Sequence, residues 1–461
     1  MQANVAVQSL SHVHWQTPVD LAPTYTKGAL LAHYGSPLFT AANTVIVPVK
    51  TGVTGDFRIE AHAGASGGLL WQAPSDYILP PHDWLPSFGP ALTPQGRLYF
   101  PGSGGKLFYR DAPDSAQGTV QTVVFFGQSA YLAAKSSYDA NVMIDTPLTT
   151  DAAGNVYFGF LVTGSTPLAL QSGMARISPA GAGTWVSAAA AAGDGSIVGV
   201  AMNGAPAVSP DGQTLYLAVN NANAAGYLLA LDSTSLKTKG KAALTDPASG
   251  APAQVVDDSS ASPTIGPDGT VYYGVLESTI PDHNARGWLL HFNATLGQTL
   301  TPGSFGWDDT ASLLPASAVP SYTGSSPYLV MTKYNNYGGA GSGNGHNEIA
   351  ILDPSATESD PISGISVMKE VLTIAGVTPD PTYPGGVYEW CINTAAVDAL
   401  AGAVFANSED GYLYRWDLST NSFSQRIALT SGVPESYTPT TIGPDGQVYA
   451  INNAVLFAVG N

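Results

Sequence analysis

The chain is built from repeats of one pattern, seen most clearly in Ser262-Pro263-Thr264-Ile265-Gly266-Pro267-Asp268-Gly269-Thr270-Val271-Tyr272-Tyr273-Gly274-Val275. A short apolar segment enters, Pro-Asp-Gly reverses the chain, and alternating β-branched and aromatic residues leave. This order predicts a strand, a two-residue turn and a second strand. The same pattern recurs from Pro206 to Tyr216 and from Pro439 to Tyr449. Because one such hairpin cannot bury its own faces, a chain that repeats it must stack the copies.

The copies follow one another at a regular interval. The proline that opens the hairpin stands at positions 37, 90, 147, 206 and 263, so the interval is 53 to 59 residues. Two degenerate copies follow, from Ala316 to Met331 and from Asn393 to Ala406, and an eighth begins at Pro439. This interval is typical of one propeller blade with its loops. The sequence therefore predicts an all-β fold in which residues 1–461 form one domain, an eight-bladed β-propeller of four-stranded antiparallel blades.

The eighth copy has three predicted strands, the last of them Val455 to Val459, so one strand is missing. The segment His14-Trp15-Gln16-Thr17-Pro18 matches Leu70-Trp71-Gln72-Ala73-Pro74, which ends the first full repeat on its outer strand. We therefore expect residues 5–20 to supply the outer strand of the last blade. The N-terminal strand would then close the ring and leave no open edge.

The back half of the first repeat, Ile59 to Trp71, resembles the repeat of the quinoprotein-like propeller superfamily. That repeat places an alanine, an aspartate and a threonine-glycine-lysine run before a tryptophan. Parts of the same motif stand at Leu229 to Thr234 and at Leu413 to Thr420. As an architecture the resemblance covers nearly the whole chain, and it implies the fold more strongly than any activity.

Composition excludes several kinds of partner. The net charge is −18 and the Lys and Arg residues do not cluster, which argues against binding to a phosphate backbone and so against a nucleic-acid partner. The single Cys391 excludes an internal disulfide and indicates a buried small residue or, less simply, a reactive thiol.

No apolar run is long enough to span a membrane. Met1 to Val13 lacks the pattern of a signal peptide. Because this segment could be the start of a mature chain whose signal has been removed, export to the periplasm or the exterior is an expectation, and a cytoplasmic location stays open. A monomer is expected.

The loops that precede the innermost strands of a propeller open onto one end of its channel, where ligand sites gather. In this chain every blade carries a polar or aromatic residue there. The candidate ligand-binding residues are Tyr34, Asp83, Trp84, Asn203, Arg286, Trp307, Asp308, Lys333, Asn335, Glu389, Trp390 and Asn393. Any single Asp or Asn could instead cap a turn.

The combination of residue types indicates the kind of ligand. Three tryptophan rings with carboxylates and amides around them suit a saccharide or another flat polar ligand. Carboxylates at a channel mouth also suit Ca²⁺, and the candidate metal ligands are Asp145 and Asp257. The preferred prediction is a propeller that binds a small polar ligand at this rim, with a saccharide as the first candidate and Ca²⁺ as a possible cofactor.

Two enzymatic interpretations stay open beside this prediction. The resemblance implies a dehydrogenase that uses pyrroloquinoline quinone (PQQ) and Ca²⁺. Asp145, Asn203 and Asp258 would hold the metal and the quinone, and Arg286 or Lys333 would contact the cofactor. This cofactor is not favoured, because a chain with one cysteine cannot form the adjacent-cysteine disulfide of many alcohol-oxidising members.

The second enzymatic interpretation is a polysaccharide lyase. His82 or His33 would act with Tyr34 or Tyr131 as acid and base on a uronate, and a nearby cation would neutralise its carboxylate. His82 could equally be hydrogen-bonded into a turn. The candidate catalytic residues of the two enzymatic interpretations are His82, His33 and Asp258. A scaffold that docks other proteins is a third class of function, and it predicts that rim substitutions are tolerated.

Overall fold

The computed structural model describes residues 4–256, 261–278, 286–334, 343, 345–381, 383–390, 394–434 and 439–461, together with the backbone of 436 and 437. Eight small antiparallel sheets follow one another along the chain and form a ring. In each sheet the chain runs from a short innermost strand outward. The predicted eight-bladed propeller is therefore confirmed.

The first four blades are regular. Blade 1 consists of Leu38–Phe39, Thr44–Gly52, Gly55–Ala63 and Leu69–Ser75; blade 2 of Ala91–Leu92, Leu98–Pro101, Lys106–Arg110 and Val120–Val124; blade 3 of Thr149–Thr150, Val156–Val162, Gly173–Ile177 and Gly183–Ser187; and blade 4 of Ala207–Val208, Thr214–Asn221, Gly226–Asp232 and Thr238–Ala243. Blades 3 and 4 each add a strand that pairs with their second strand, Val142–Ile144 and Ile197–Val200.

The last four blades vary more. Blade 5 consists of Thr264–Ile265, Val271–Val275 and Trp288–Phe292; blade 6 of Ser312–Pro315, Tyr328–Tyr334, Glu348–Ser359 and Ser366–Ala375; blade 7 of Ala396–Asp398, Ala403–Asn407, Tyr412–Asp417 and Ser422–Ala428; and blade 8 of Thr441–Ile442, Val448–Asn452, Val455–Gly460 and His12–Pro18. In blade 5 the outer position is taken by residues 299–303, which make single bridges to the third strand.

The repeated hairpin forms where the sequence predicts it, but its connection is longer. In blade 5, Thr264 pairs with Tyr272 and Ile265 pairs with Val271, so five residues rather than two connect the strands. The Gly266 N–H donates to the Thr270 carbonyl at 2.8 Å, which closes this connection. Gly269 has a φ of +84°, a left-handed conformation that glycine adopts without strain.

The N-terminal strand closes the ring, as predicted. His12–Pro18 pairs with Val455–Gly460, with His12 opposite Gly460 and Pro18 opposite Val455. The Trp15 indole N–H donates to the Gly64 carbonyl of blade 1 at 2.7 Å. The Trp71 indole N–H similarly donates at 2.6 Å to the carbonyl of Pro113, which lies between the third and fourth strands of blade 2. Each of these outer-strand tryptophans therefore fastens its blade to the next.

One local expectation was wrong. The innermost strand of blade 6 is Ser312–Pro315, and Ala316–Ala318, predicted as that strand, is a 3-10 turn. Short helices interrupt the sheets in two places. Ala188–Ala192 follows the outer strand of blade 3, and Gln128–Ala133 and Lys135–Asn141 lie in the connection from blade 2 to blade 3. The latter two lack a periodic apolar pattern. A further 3-10 turn is Ser103–Gly105. Of the helices in the described residues, none is long and apolar enough to cross a membrane.

Candidate functional site

Three connections meet on the face that carries the channel mouth. Ala32–His33, before blade 1, pairs in parallel with Ser436–Tyr437, before blade 8. Ala32 also bridges Leu85, before blade 2, and the His33 N–H donates to the Leu85 carbonyl at 2.8 Å. The backbone of this small sheet is thus held where the ring closes. It fixes the positions of His33, Tyr34 and Trp84 beside the channel.

An apolar plug crosses the channel mouth. Trp84, before blade 2, packs with Leu276 and with Trp307, which precedes blade 6, and Leu31 and Val256 pack against the three. Blades 2 and 6 face each other across a ring of eight, so this contact spans the mouth. Trp84 and Trp307 are 3 % and 1 % exposed.

Trp390, the third predicted ligand platform, is 1 % exposed and packs 5.4 Å from Tyr414 and 5.5 Å from Phe423, between ring centroids. All three tryptophan rings are therefore packed within the protein and almost fully buried. Their stacking on a ligand stays a prediction that requires the mouth loops to move apart.

The channel itself contains a cavity of about 280 Å³. All eight blades contribute to its lining, through Pro37, Pro90, Pro147, Ala205, Ser262, Thr310, Thr394 and Pro439. The repeated stretch that predicts the fold thus also forms the channel wall. His33, Tyr34 and Asn203 line the same cavity, so the structure brings these three candidates together.

Tyr34 is held by a buried ion pair that the sequence did not predict. Lys50 Nζ donates to both carboxylate oxygens of Asp20, at 3.0 and 3.1 Å, and to the Ala22 carbonyl at 3.0 Å. The Tyr34 hydroxyl donates to Asp20 Oδ2 at 2.9 Å. Burial and the Asp20 carboxylate raise the pKa of Tyr34, so this phenol stays protonated and is unsuited to act as a base.

The Asp20–Lys50 pair forms one wall of a second cavity, which we call the rim pocket. It has a volume of about 340 Å³. Its polar lining includes Thr24, Thr26, His82 and Asp83, and its apolar lining includes Leu30, Leu31, Leu79 and Leu85. His82 Nδ1 lies 2.7 Å from the Pro80 carbonyl, which is the turn hydrogen bond that the sequence allowed. A pocket of this size with a few polar groups among apolar ones is typical of a small-molecule site.

A buried charged cluster lies where blade 6 begins. Lys333 forms an ion pair with Asp308 and lies 5.3 Å from the Trp307 ring centroid. Asp309 Oδ2 accepts from the Thr332 hydroxyl at 3.0 Å and from the Lys333 backbone N–H at 3.1 Å. Burial raises the pKa of Asp309 to about 7, against the opposing effect of Lys333.

Lys333 keeps its charge in this cluster. Burial acts to lower the pKa of its ammonium, but the carboxylates of Asp308 and Glu389 outweigh burial and the net shift is upward. Asp308 has a φ of +48°, uncommon for a residue other than glycine. The structure thus brings Trp307, Asp308, Lys333 and Glu389 together, in a region with almost no solvent exposure.

Arg286 joins blade 5 to blade 6. Its guanidinium donates to both carboxylate oxygens of Asp360, at 3.0 and 2.7 Å, and twice to the Ser304 carbonyl. It lies between the rings of Trp288 and Phe305, 4.3 and 4.7 Å from their centroids. Four donated hydrogen bonds and two stacked rings engage this side chain within the protein. Its contact with a ligand or cofactor stays a prediction.

Asp145 and Asn203, predicted to hold Ca²⁺ and quinone, are neighbours. The Asn203 N–H donates to the Asp145 backbone carbonyl at 3.0 Å, and Asn203 Oδ1 accepts from the Ser87 N–H at 2.9 Å. Burial raises the pKa of Asp145 well above its usual range. Asp145 Oδ1 has no hydrogen-bond partner among the described residues.

The rest of the predicted metal and quinone site is not assembled in the described part of the chain. No group of three or more His, Cys, Asp or Glu side chains within it could hold a metal ion. Four predicted site residues, Asp257, Asp258, Asn335 and Asn393, and also Cys391, lie outside the described residues. Of the predicted donors that the structure describes, burial raises the pKa of Asp145 and so disfavours its charged form, and the Asn203 side-chain oxygen already accepts a hydrogen bond, so these two do not fit a Ca²⁺ and PQQ site.

His33 and Tyr34, one of the acid and base pairs predicted for a lyase, line the same channel cavity, and their catalytic roles stay a prediction. His33 is buried against Trp84, with ring centroids 5.6 Å apart. Tyr131 belongs to the helical insertion, where its hydroxyl donates to Asp139 at 2.8 Å and lies 3.3 Å from Lys106 Nζ. These contacts leave His82, on the exposed side of the rim pocket, as the candidate histidine that a dissolved ligand reaches.

Sequence reasoning missed the segment that builds the rim pocket. Asp20, Thr24 and Thr26 lie in the connection from the N-terminal strand to blade 1, where no repeat occurs. Asp20 bridges Lys50 because the N-terminal strand, paired in blade 8, leads the chain back past blade 1. The sequence signals this segment in one way, because it is a long connection that contains no copy of the repeat.

Comparison with known proteins identifies the fold. No protein-family model and no curated protein matches the chain. Three solved structures that match are europium-containing methanol dehydrogenase, quinohemoprotein alcohol dehydrogenase from Comamonas testosteroni and Saccharomyces cerevisiae Sqt1. Their TM-scores are 0.56, 0.55 and 0.54, and their sequence identities 11 %, 11 % and 13 %.

These alignments cover 97 %, 98 % and 96 % of this chain and 86 %, 76 % and 98 % of the other chains, in the same order. The resemblance to quinoprotein-like propellers is therefore confirmed for the fold. At such low identity the likeness carries no activity over to this chain.

Proposed function

We propose that this protein binds a small polar ligand, with saccharides as the first class, in the rim pocket beside the channel mouth. The observation that carries the proposal is the pocket itself, about 340 Å³ in volume and lined by both hydroxyl and leucine side chains. A volume in this range accommodates a sugar ring and leaves room for a substituent.

The lining of the rim pocket supplies complementary chemistry. The hydroxyls of Thr24 and Thr26 both donate and accept hydrogen bonds, which suits a ligand rich in hydroxyl groups. Leu79 and Leu85 offer apolar surface to the C–H face of a ring. The buried Asp20–Lys50 pair keeps this wall rigid, since each member is satisfied within the protein.

The proposal is tested by calorimetric titration of the full chain with a panel of mono- and disaccharides, with and without Ca²⁺. We expect saturable binding of at least one sugar. His82→Ala should weaken it about tenfold, the effect of losing one hydrogen bond of about 1.4 kcal/mol. Leu79→Trp should abolish binding by filling the pocket. His14→Ala, an exposed histidine on the outer strand of blade 8, is the matched control and should bind as the wild type does.

Two outcomes would contradict this proposal. One is that no sugar in the panel binds, and the other is that a sugar binds equally well to the wild type and to Leu79→Trp. The enzymatic alternatives have their own signals in the same samples. Dye reduction after adding PQQ and Ca²⁺ would indicate a dehydrogenase, and new ultraviolet absorbance with a uronate polymer would indicate a lyase.

A further inference from the structure

Among the described residues, two lysine–aspartate pairs have both side chains buried. Lys50 pairs with Asp20, and these side chains are 3 % and 1 % exposed. Lys333 pairs with Asp308, and these side chains are 1 % and 0 % exposed. Burying two opposite charges costs free energy, which their attraction repays only when the geometry is good. A reaction that removes both charges therefore gains free energy at a pair of this kind.

The surroundings of the two pairs differ. Lys50 donates two hydrogen bonds to Asp20 and one to a backbone carbonyl, which use all three N–H groups of its ammonium. The second pair has a further buried acid beside it. This acid is Glu389, which is 0 % exposed and whose charge acts on both Lys333 and Asp308. The second pair and Glu389 thus place an amine, a carboxyl and a second carboxyl together, away from bulk water.

An amine and a carboxyl held in contact can condense to an amide, since their contact replaces a bimolecular encounter. Burial raises the pKa of Asp308 well above its ordinary range, although Lys333 opposes this effect, so the carboxyl is ready to accept a proton. Lys333 is an ammonium in the ion pair, and a base must take a proton from it before its nitrogen can attack a carbon. Glu389 is the acid residue that can pass this proton from one partner to the other.

We propose that Lys333 and Asp308 form an intramolecular amide bond, with Glu389 as the group that relays the protons. Lys333 Nζ bonds to Asp308 Cγ, the bond from Cγ to one carboxyl oxygen breaks, and that oxygen leaves as water. Of the three hydrogens on the ammonium, one stays on the amide nitrogen and two leave with the oxygen. Nothing is oxidised or reduced, and no co-reactant is needed. The product is neutral, so two charges no longer have to be buried.

The amide bond fastens one side of the channel mouth. Asp308 follows Trp307, which packs with Trp84 in the apolar plug, and Lys333 lies in the second strand of blade 6. The blade 6 half of the plug is therefore attached covalently to its blade. Any opening of the mouth has to come from movement of Trp84 and the connection before blade 2.

The test is the intact mass of the purified, denatured full chain, followed by peptide mapping. We expect a mass lower than that of the sequence by one water molecule. Chymotrypsin cuts after the tyrosines that lie between positions 308 and 333, and it should release a branched peptide that joins Asp308 to Lys333. The other buried pair is the internal control, because Lys50 and Asp20 should be recovered in separate, unmodified peptides.

Three variants identify the groups that take part. Lys333→Arg keeps the positive charge but lacks the amine, and Glu389→Gln keeps the shape but cannot relay a proton. Both should have the full mass of their sequences and give unbranched peptides. Asp309→Asn, which removes a neighbouring buried acid, is the matched control and should still contain the bond. Circular dichroism checks that each variant is folded.

The wild-type chain decides the proposal even if a variant fails to fold. A wild-type chain of full mass, or a loss of water that maps to other residues, would overturn the amide bond. A branched peptide in folded Glu389→Gln would overturn the relay by Glu389.

Discussion

Asp309 combines complete burial with two hydrogen bonds to one of its carboxylate oxygens. Its pKa of about 7 lies above the ordinary value of 3.8, so between these values the folded protein holds a proton that the unfolded chain releases. The contribution of this group to the free energy of unfolding is therefore greatest at low pH. It is lost as the pH rises through about 7.

Asp309→Asn should remove this dependence while keeping an acceptor for Thr332 and Lys333. We expect the variant to lose stability less steeply than the wild type as the pH rises from 4 to 7. Denaturant unfolding at several pH values measures the difference in slope, with the exposed Asp56→Asn as control. Parallel wild-type and Asp309→Asn profiles would show that Asp309 is ionised throughout this range.

Single residues also show where sequence reasoning ends. The positive charges of Arg286 and Lys333 were predicted to face a ligand. Asp360 lies 74 residues from Arg286, in the next blade, and engages both terminal nitrogens of its guanidinium. The sequence contains both residues, but their opposition depends on how blades 5 and 6 pack. The period of the repeat does not specify that packing.

The repeated hairpin is the element on which the fold depends, and glycine sets its geometry. Gly269 adopts a φ of +84°, which costs a residue with a Cβ about 1 kcal/mol. Gly269→Ala should therefore lower the free energy of unfolding by about this amount. Gly195→Ala, at an exposed glycine with an ordinary φ and open space around its Cβ position, is the matched control. Equal stability of the two variants by denaturant unfolding would contradict the requirement for a left-handed residue.

At the scale of elements, the sequence was most informative where the period repeats. The hairpins of blades 1 to 5, 7 and 8 were predicted in place because alternation and Pro-Asp-Gly are local signals. The two helices of the insertion escaped because each has only six or seven residues and is held by tertiary contacts. Among those contacts, the Ser103 and Tyr131 hydroxyls both donate to Asp139. A helix stabilised by packing of this kind leaves little trace in local periodicity.

The whole ring depends on the strand His12–Pro18, and Trp15 is its anchor. This side chain is buried in a cluster that includes residues of blades 1 and 8. Trp15→Ala removes both the packing and the bond to Gly64, and we expect a loss of about 3 to 5 kcal/mol in the free energy of unfolding. Gln16→Ala, at an exposed position on the same strand, should change it by less than about 0.5 kcal/mol. A loss below 1 kcal/mol for Trp15→Ala, measured by denaturant unfolding, would mean that the closing strand contributes little.

The candidate site likewise has one part that the repeat predicts and one part that it does not. The channel lining was predictable, because every repeat brings its innermost strand to the axis, and His33, Tyr34 and Asn203 lie on that lining. The rim pocket was not predictable, because it needs the unrepeated segment that follows the closing strand. Features that every blade contributes to could be predicted from the sequence. Features that depend on a single unrepeated segment could be found only in the structure.

The pairing of His12–Pro18 with Val455–Gly460 also sets an order of events during synthesis. The Ser9 N–H reaches the Asn461 side chain, 452 positions later in the chain. The strand that leaves the ribosome early must therefore wait, unpaired, until the last three strands of blade 8 have been translated. Contacts of such sequence separation form late and slowly. Joining the residues at these adjacent ends and cutting the chain between two other blades would give a permuted chain. In it, the strand that is synthesised last would no longer have to pair with the strand that is synthesised first.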